Sequence, residues 1–290
     1  MWHEISAVVT AHSANSVGDA LSERGALAVT LADAADEPIF EPAPGDTPLW
    51  QATRVTGLFS AEADFESLAQ SLSAHVGLHY GHWRHRVIQD QAWERAWMER
   101  FKPIQCGTRL WVVPSHHAVP DAADVVLRLD PGLAFGTGNH PTTALCLQAI
   151  DALVEPGWRV LDYGCGSGVL AIAALKLGAE SALAIDIDPQ ALLACEDNAL
   201  RNEVAQGLQT STPCDVAGLE FDLVLANILA GPLVQLAPML ATAARPSAKL
   251  VLSGILESQI DTVEAAYKDA FVMSDPMLHD GWACLMGARR

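Results

Sequence analysis

The chain has 290 residues, of which 50% are hydrophobic, so it is long enough to bury the core of one large domain or two ordinary ones. Its formal net charge of −18, from 17 basic and 35 acidic residues, opposes nucleic-acid binding and favours a basic partner. No apolar run reaches the ~18 to 20 residues of a membrane span and the N-terminus has no basic leader segment, so we expect a cytoplasmic protein with no membrane partner.

The cysteines and histidines do not form a metal-binding or disulfide pattern. Six cysteines are scattered without a C-x-x-C pair, and the histidines have no carboxylate or cysteine at metal-ligand spacing. We therefore expect no metal site and six reduced thiols.

Residues 1–88 are predicted to form a small α+β domain. Strand, helix and strand occur in that order twice, which is the split βαβ arrangement of ferredoxin-like domains. The predicted strands cover 2–9, 27–31, 54–59 and 82–88, and the predicted helices cover 16–23 and 64–75. This segment contains 11 acidic and 4 basic residues, for a net charge of −7.

Residues 89–102 are predicted to form a linker helix. Trp93, Trp97 and Phe101 recur every four residues and define one apolar stripe, and Pro103 ends the pattern. The stripe is typical of an amphipathic helix that packs on the body of the protein, and such a helix could also separate two domains.

Residues 103–290 are predicted to form an α/β domain with a doubly wound, Rossmann-like parallel sheet. Helices and buried strands alternate from residue 145 onward, which is the signature of parallel strands joined by crossover helices. Predicted strands lie at 109–113, 125–129, 158–162, 182–186, 221–226 and 248–253, and predicted helices at 169–177, 189–201, 232–243 and 257–269.

The segment VLDYGCGSGVL at 160–170 places three glycines in a turn between a strand and a helix. Missing Cβ atoms at Gly164, Gly166 and Gly168 allow a ligand to lie against the backbone, so the turn predicts a small-molecule site. A dinucleotide site needs G-x-G-x-x-G, but its third glycine is here Val169.

An acidic residue ends the next predicted strand, in ALAIDIDP at 182–189. A carboxylate about 20 residues after the glycine turn of a βαβ unit can accept hydrogen bonds from both ribose hydroxyls. We assign this role to Asp186. Asp188 remains an alternative, although Asp188-Pro189 is typical of a helix start.

Four segments carry a resemblance to a known family: LDPGLAFGTGNHPTT at 129–143, LDYGCGSGVLAIAALKLGA at 161–179, AIDIDP at 184–189, and NIL after FDLVLA at 221–229. The linker AWERAWMERFKP matches as well. Over nearly its whole length the sequence resembles the PrmA family of ribosomal protein methyltransferases, which are class I enzymes dependent on S-adenosylmethionine.

The resemblance implies a role for particular residues. It implies S-adenosylmethionine contacts at Thr143, Gly164, Asp186 and Asn227, to which we add Gly166 from the same turn. It also implies that the N-terminal domain holds the protein substrate, a basic large-subunit ribosomal protein. We further expect a monomer that does not bind nucleic acid directly.

The segment Asn227-Ile228-Leu229 indicates an amine acceptor. Methyltransferases of planar nitrogens resemble one another in an Asn/Asp-Pro-Pro-aromatic turn that stacks on the plane, and both prolines and the aromatic ring are missing here. We therefore predict methylation of lysine ε-amines, an N-terminal α-amine, or both. Neutralising a lysine of pKa near ~10.4 costs roughly 4 kcal/mol at pH 7.4, and burial beside a cationic sulfonium would supply part of this shift.

Two residues are candidates for a catalytic role. Asn227 can orient the amine by accepting its N–H groups. His140, the titratable residue of the GTGNHPTT loop, could line the methyl-transfer opening with Phe135, or it could be a loop histidine held by backbone hydrogen bonds. Gly132, Gly136 and Gly138 would give this loop freedom to open and close.

Three other functions are weighed against this interpretation. An RNA methyltransferase with an RNA-binding N-terminal domain is disfavoured by the charge of −7 and by the lack of an aromatic RNA-binding run. A non-catalytic scaffold is disfavoured by Gly164, Asp186 and Asn227, and a nicotinamide dehydrogenase by Val169.

Overall fold

The computed structural model describes residues 1–35, 39, 47–89, 101–130, 140–214, 216 and 218–290. Contacts divide the chain into two compact units, Met1–Ala96 and Trp97–Arg290. Most of the predicted linker helix, residues 90–100, lies outside the described residues, so that helix stays a prediction.

The N-terminal unit is a four-stranded antiparallel sheet with two helices, in the strand order β2-β3-β1-β4. Its elements are β1 (Trp2–Thr10), α1 (Ala11–Glu23), β2 (Ala28–Asp33), β3 (Ala52–Phe59), α2 (Phe65–Val76) and β4 (Arg84–Ile88). The predicted ferredoxin-like arrangement is confirmed. The first helix begins at Ala11 rather than at Ser16, and the side chain of its N-cap residue, Thr10, makes no capping hydrogen bond.

The two faces of this sheet differ in burial because side chains alternate along a strand. Ile5, Ala7 and Val9 of β1 are buried in one core with the helices. The intervening residues Glu4, Ser6 and Val8 point to the other side of the sheet. These three residues and their cross-strand partners Arg86, Arg84 and Arg54 form what we call the open face. None of these six side chains is buried.

The C-terminal unit contains two sheets and five described α-helices. A three-stranded sheet is formed by β5 (Ile104–Cys106), β6 (Leu110–Val113) and β7 (Val125–Arg128). The larger sheet is formed by β8 (Arg159–Tyr163), β9 (Ser181–Ile185), β10 (Leu208–Ser211), β11 (Phe221–Asn227), β12 (Ala244–Leu256), β13 (Phe271–Met273), β14 (Met277–His279) and β15 (Trp282–Arg289). The helices are α3 (Pro141–Leu153), α4 (Val169–Lys176), α5 (Pro189–Arg201), α6 (Ala230–Ala243) and α7 (Ile260–Tyr267).

The larger sheet has the order β10-β9-β8-β11-β12-β15-β13, with β14 also paired to β15. The pairs from β10 to β12 are parallel, which confirms the predicted Rossmann-like sheet. The strands that follow α7 pair antiparallel, and the sequence interpretation missed them. Two hydrophobic cores, one containing Val160 and the other Leu161, pack this sheet.

The order of the strands determines where a ligand site is expected in this sheet. The chain leaves β8 first toward β9 and β10 and later crosses to β11 on the other side of β8. Ligands of doubly wound sheets bind at the carboxyl ends of the strands where the order reverses. The glycine turn after β8 and the ends of β9 and β11 all lie at this point.

Other features of the described residues are simpler. The six cysteines are free. Within the described ranges, no helix is both long and apolar enough to cross a membrane. The same residues include no group of three or more potential metal ligands.

Candidate functional site

A pocket of about 490 Å³ opens at the carboxyl ends of β8, β9 and β11. Its polar lining includes the predicted Thr143, Gly164, Gly166, Asp186 and Asn227, so the fold brings these five residues together. The remaining lining is Tyr163, Cys165, Val169, Leu170, Ile185, Ile187, Pro213, Ile228, Leu229, Pro232, Gln235 and Leu236. Among all of these, Asp186 is the one carboxyl group, and no lysine, arginine or histidine lines the pocket, so the pocket favours a cation or a neutral group over an anion.

The glycine turn is attached to the end of β9 through its own N–H groups. Gly164 and Cys165 donate to the Ile185 carbonyl at 2.7 and 3.0 Å, and Gly166 donates to Asp186 Oδ2 at 2.8 Å. A phosphate cradle needs N–H groups that point at the ligand, and these three are already used. These three N–H groups are therefore not available to a phosphate.

Asp186 and Asp188 have separate tasks. Asp188 caps α5 by accepting from Gln190 N at 2.9 Å, with Pro189 in the first turn, so the predicted helix start is confirmed. Asp186 accepts from Gly166 N and, through Oδ1, from Asp188 N at 3.0 Å. Each carboxylate oxygen of Asp186 keeps a second lone pair for a ligand hydroxyl. Its orientation is fixed before anything binds.

Asn227 ends β11, and one polar atom of its side chain has a hydrogen-bond partner whereas the other has none among the described residues. Asn227 Nδ2 donates to Thr143 Oγ1 at 3.4 Å, which fixes the amide against the first turn of α3. Asn227 Oδ1 is buried and has no hydrogen-bond partner among the described residues. A buried acceptor without a partner is costly, so this oxygen is suited to receive a donor from a ligand.

Ile228 is held between two glycines. A Cβ added at Gly164 (φ +80°) would overlap Ile228 Cγ2, and a Cβ added at Gly254 (φ +82°) would overlap the Ile228 carbonyl oxygen and lie 2.7 Å from its carbon. Gly254 lies where the β12–β15 register shifts, between Leu252 and Ile255. The absence of side chains at both glycines therefore sets the path of the chain that follows Asn227.

Asp162 is a buried acid that sequence reasoning missed. It is the last residue but one of β8, and its Oδ2 accepts from Ala171 N of α4 at 3.0 Å. Its Oδ1 is buried without a partner among the described residues. Burial, and secondarily the charge of Asp186, raise the pKa of Asp162 to about 7. The signal available in sequence was an acid inside an otherwise apolar strand.

The apolar wall of the pocket was also missed. Ile187 is 81% exposed and Leu229 is 48% exposed, although both are large hydrophobic residues at the pocket. Exposed apolar side chains in a cleft are suited to cover a flat apolar ring system. The available signal was Ile187 itself, an apolar residue between two acids in a turn.

His140 is the N-cap of α3, which the sequence left open. Its Nδ1 accepts from Thr142 N at 3.4 Å and lies 2.8 Å from Thr142 Oγ1, and its ring meets Trp282 edge to face at 5.1 Å. Burial lowers the pKa of His140, which favours the neutral ring. His140 does not line the pocket formed by the described residues. The residues predicted beside it, Phe135, Gly132, Gly136 and Gly138, lie outside the described residues.

A pair of substitutions separates capping from catalysis at His140. Asparagine can keep the capping acceptor but cannot titrate, so His140→Asn should leave kcat within a few-fold, whereas His140→Ala should cost about 1 kcal/mol of folding stability. Steady-state kinetics and thermal unfolding of both variants test this. A loss of kcat of roughly 10²-fold or more in His140→Asn would instead assign proton transfer to the imidazole.

Comparison with known proteins gives the same family over the whole chain. The model of a family described as "Ribosomal protein L11 methyltransferase (PrmA)" matches residues 1–290. A ribosomal protein L11 methyltransferase of Azotobacter vinelandii is 51% identical, with 100% of this chain and 99% of that protein covered. One of Methylococcus capsulatus is 47% identical, with both proteins covered in full. A solved ribosomal protein L11 methylase of Lactobacillus delbrueckii subsp. bulgaricus is 36% identical, with a TM-score of 0.60 over 66% of this chain and 100% of that one.

Proposed function

The chain belongs to the ribosomal protein L11 methyltransferase family, and from this we propose that it transfers methyl groups from S-adenosylmethionine to amine nitrogens of ribosomal protein L11. The amines are lysine ε-amines, the N-terminal α-amine, or both. The single observation that carries the chemical part is the buried, unpartnered Oδ1 of Asn227 at the pocket.

The described residues of the pocket fit S-adenosylmethionine. Asp186 would accept from the ribose hydroxyls, the Gly164–Gly166 backbone would lie against the amino-acid end, and Ile187 and Leu229 would cover the adenine. S-adenosylmethionine carries no phosphate and supplies a methyl group bound to a cationic sulfur. The occupied N–H groups of the turn and the lining without lysine or arginine support this cofactor over a nicotinamide dinucleotide.

The enzyme's own residues need only orient and desolvate the acceptor amine. Asn227 Oδ1 accepts an amine N–H and points the nitrogen lone pair toward the methyl group, while Thr143 holds the amide through its other end. Apolar residues around this point, among them Ile228 and Leu229, exclude water and so favour the neutral amine. Positioning of this kind can supply most of the rate enhancement without a strong base.

The N-terminal unit supplies recognition of the protein substrate in this proposal. The pocket residues all follow residue 140, and the preceding ferredoxin-like unit carries none of them. The net charge of −18 attracts a basic ribosomal protein and repels free nucleic acid, and we propose a monomer acting in the cytoplasm.

The test is transfer of radiolabelled methyl groups to purified ribosomal protein L11, followed by mass spectrometry of the product. We expect label on amine nitrogens, a rate that rises with pH as the bound amine loses its proton, and a KM for the protein that rises with salt. Label on glutamine or arginine would contradict the assignment of the acceptor. Label on large-subunit ribosomal RNA would support an RNA methyltransferase instead.

Asp186 should determine cofactor affinity. Asp186→Ala removes the acceptor for two ribose hydroxyls and also the anchor for Gly166 N, so we expect a loss of about 1.5 to 3 kcal/mol in S-adenosylmethionine binding. Calorimetric titration measures it, with Asp188→Ala as the matched control that removes only a helix cap. If both variants lost the same amount of S-adenosylmethionine affinity, Asp186 would not be the residue that binds the ribose.

A further inference from the structure

The open face of the N-terminal sheet carries a charge opposite to that of its domain. Residues 1–88 contain four arginines and no lysine, and three of these arginines, Arg54, Arg84 and Arg86, lie on the open face. Of the acidic residues that the structure describes in this unit, Glu4 is the one on that face with them. The charge of the domain is therefore segregated, with a basic patch on an acidic body.

Two of these arginines flank a small pocket. A cavity of about 260 Å³ lies over β1 and is lined by Ser6, Val8, Arg54, Arg84 and His82, among others. Arg54 is paired across the strands with Val8, and Arg84 with Ser6, so their Cα atoms lie roughly 12 Å apart on opposite sides of β1 by ordinary sheet spacing. Two arginine side chains can converge over one ligand group from this distance.

The three arginines differ in their partners. Arg86 is neutralised by Glu4, with 2.8 Å between Nη2 and Oε2. No described residue forms a hydrogen bond or an ion pair with the side chain of Arg54 or Arg84. Both are exposed, and each presents five N–H donors in a fork that matches a carboxylate. The pocket is thus complementary to an anion that the described part of the domain does not provide.

We infer that this pocket is the point at which the N-terminal unit docks an acidic side chain of its protein substrate, with Arg54 and Arg84 as the two binding residues. The inference rests on the proposed function and adds the chemistry of the contact. An isolated carboxylate on a basic protein matches both the two arginines and the acidic surroundings. A phosphate backbone is a less suitable occupant, because its many charges would meet a domain of net charge −7.

The proposed contact between these arginines and the substrate carboxylate is tested by reversing the charge of one arginine and, as a control, the charge of a lysine in the C-terminal unit. Arg84→Glu and Arg54→Glu should each raise the KM for ribosomal protein L11 about tenfold, because a desolvated charge pair is replaced by repulsion. The turnover number, the S-adenosylmethionine affinity and the melting temperature should stay unchanged. Lys268→Glu alters the net charge by the same amount at an exposed position of the C-terminal unit and should leave KM near the wild-type value. Arg84→Lys keeps the charge but loses the fork, so its KM should lie between those of the wild type and Arg84→Glu.

The outcomes distinguish the inference from the proposed function. If the wild-type enzyme does not methylate ribosomal protein L11, the proposed function fails. If it does, and the arginine variants match Lys268→Glu in KM, the docking inference fails alone. A lowered melting temperature in the arginine variants would mean that the anion belongs to the chain itself. If, in a filter-binding assay, the arginine variants but not Lys268→Glu lost binding to ribosomal RNA, the occupant would be RNA. Either result overturns the inference.

Discussion

Replacing Gly254 by alanine should lower kcat by about 10²-fold while the protein stays folded. The added methyl group would overlap the Ile228 carbonyl oxygen and lie 2.7 Å from the carbonyl carbon, where ordinary contact begins at 3.4 Å. Both atoms are backbone, so no rotamer change can relieve the overlap. The chain after Asn227 must therefore move by about 1 Å, a displacement large enough to cost a hundredfold in a reaction that depends on alignment.

Gly157→Ala provides the matched control for Gly254→Ala. Gly157 has nearly the same backbone angle, φ +84°, but nothing lies within 4 Å of its added Cβ, so this variant carries only the strain of a left-handed alanine, about 1 kcal/mol. Kinetics, cofactor titration and thermal unfolding are measured for both. We expect a larger loss of stability in Gly254→Ala, which also carries the overlap with Ile228, and a loss of kcat confined to that variant. Equal activity in the two variants would show that the position of Ile228 does not matter for transfer.

Asp162→Asn should make the protein more stable at pH 8 and should raise its stability much less at pH 5. The folded-state pKa of Asp162 is raised to about 7 from an ordinary 3.8. Between these values the folded state holds a proton that the unfolded state has released, so stability falls as pH rises through this window and the full penalty is present above pH 7. The penalty is on the order of a few kcal/mol. Asparagine is neutral throughout and can keep the bond from Ala171 N.

The same substitution should weaken cofactor binding. An ionised Asp162 close behind the pocket attracts a cationic ligand, so at pH 8 we expect the affinity of Asp162→Asn for S-adenosylmethionine to fall about tenfold. In the wild type the affinity should fall as pH drops below about 7, and this dependence should be absent from the variant. Melting temperatures at pH 5 and 8 and calorimetry over the same range measure both effects. A variant that is less stable at both pH values would show that the carboxylate is an ordinary structural acceptor.

Sequence reasoning located the part of the site that depends on strand ends. Gly164, Asp186 and Asn227 each follow a buried strand, and because parallel strands end at one edge, their meeting could be predicted before any coordinates. Their roles toward the cofactor remain proposals. The contact between Gly254 and Ile228 could not be predicted, because it depends on a local register shift between β12 and β15 that leaves no pattern in the sequence.

The antiparallel strands and the role of His140 could not be predicted from the sequence, for different reasons. The run WACLMGAR in β15 is apolar on both faces and has no alternation to distinguish a strand from a buried helix. Capping by His140 depends on the position of one ring nitrogen relative to Thr142 N. Histidine is also outside the group of residues that usually cap helices, so the sequence carried no capping signal.

The reversal of strand order at β8 also affects the order in which the two edges of the pocket form during folding. Val160 pairs on one side with Ala182, which is close in the chain, and on the other side with Leu223, which is far away. Closing the longer loop costs more entropy and delays contact formation. During folding, the edge that carries the glycine turn and Asp186 should therefore form before the edge that carries Asn227. A folding intermediate would then hold the nucleoside end of a ligand before it could position an amine.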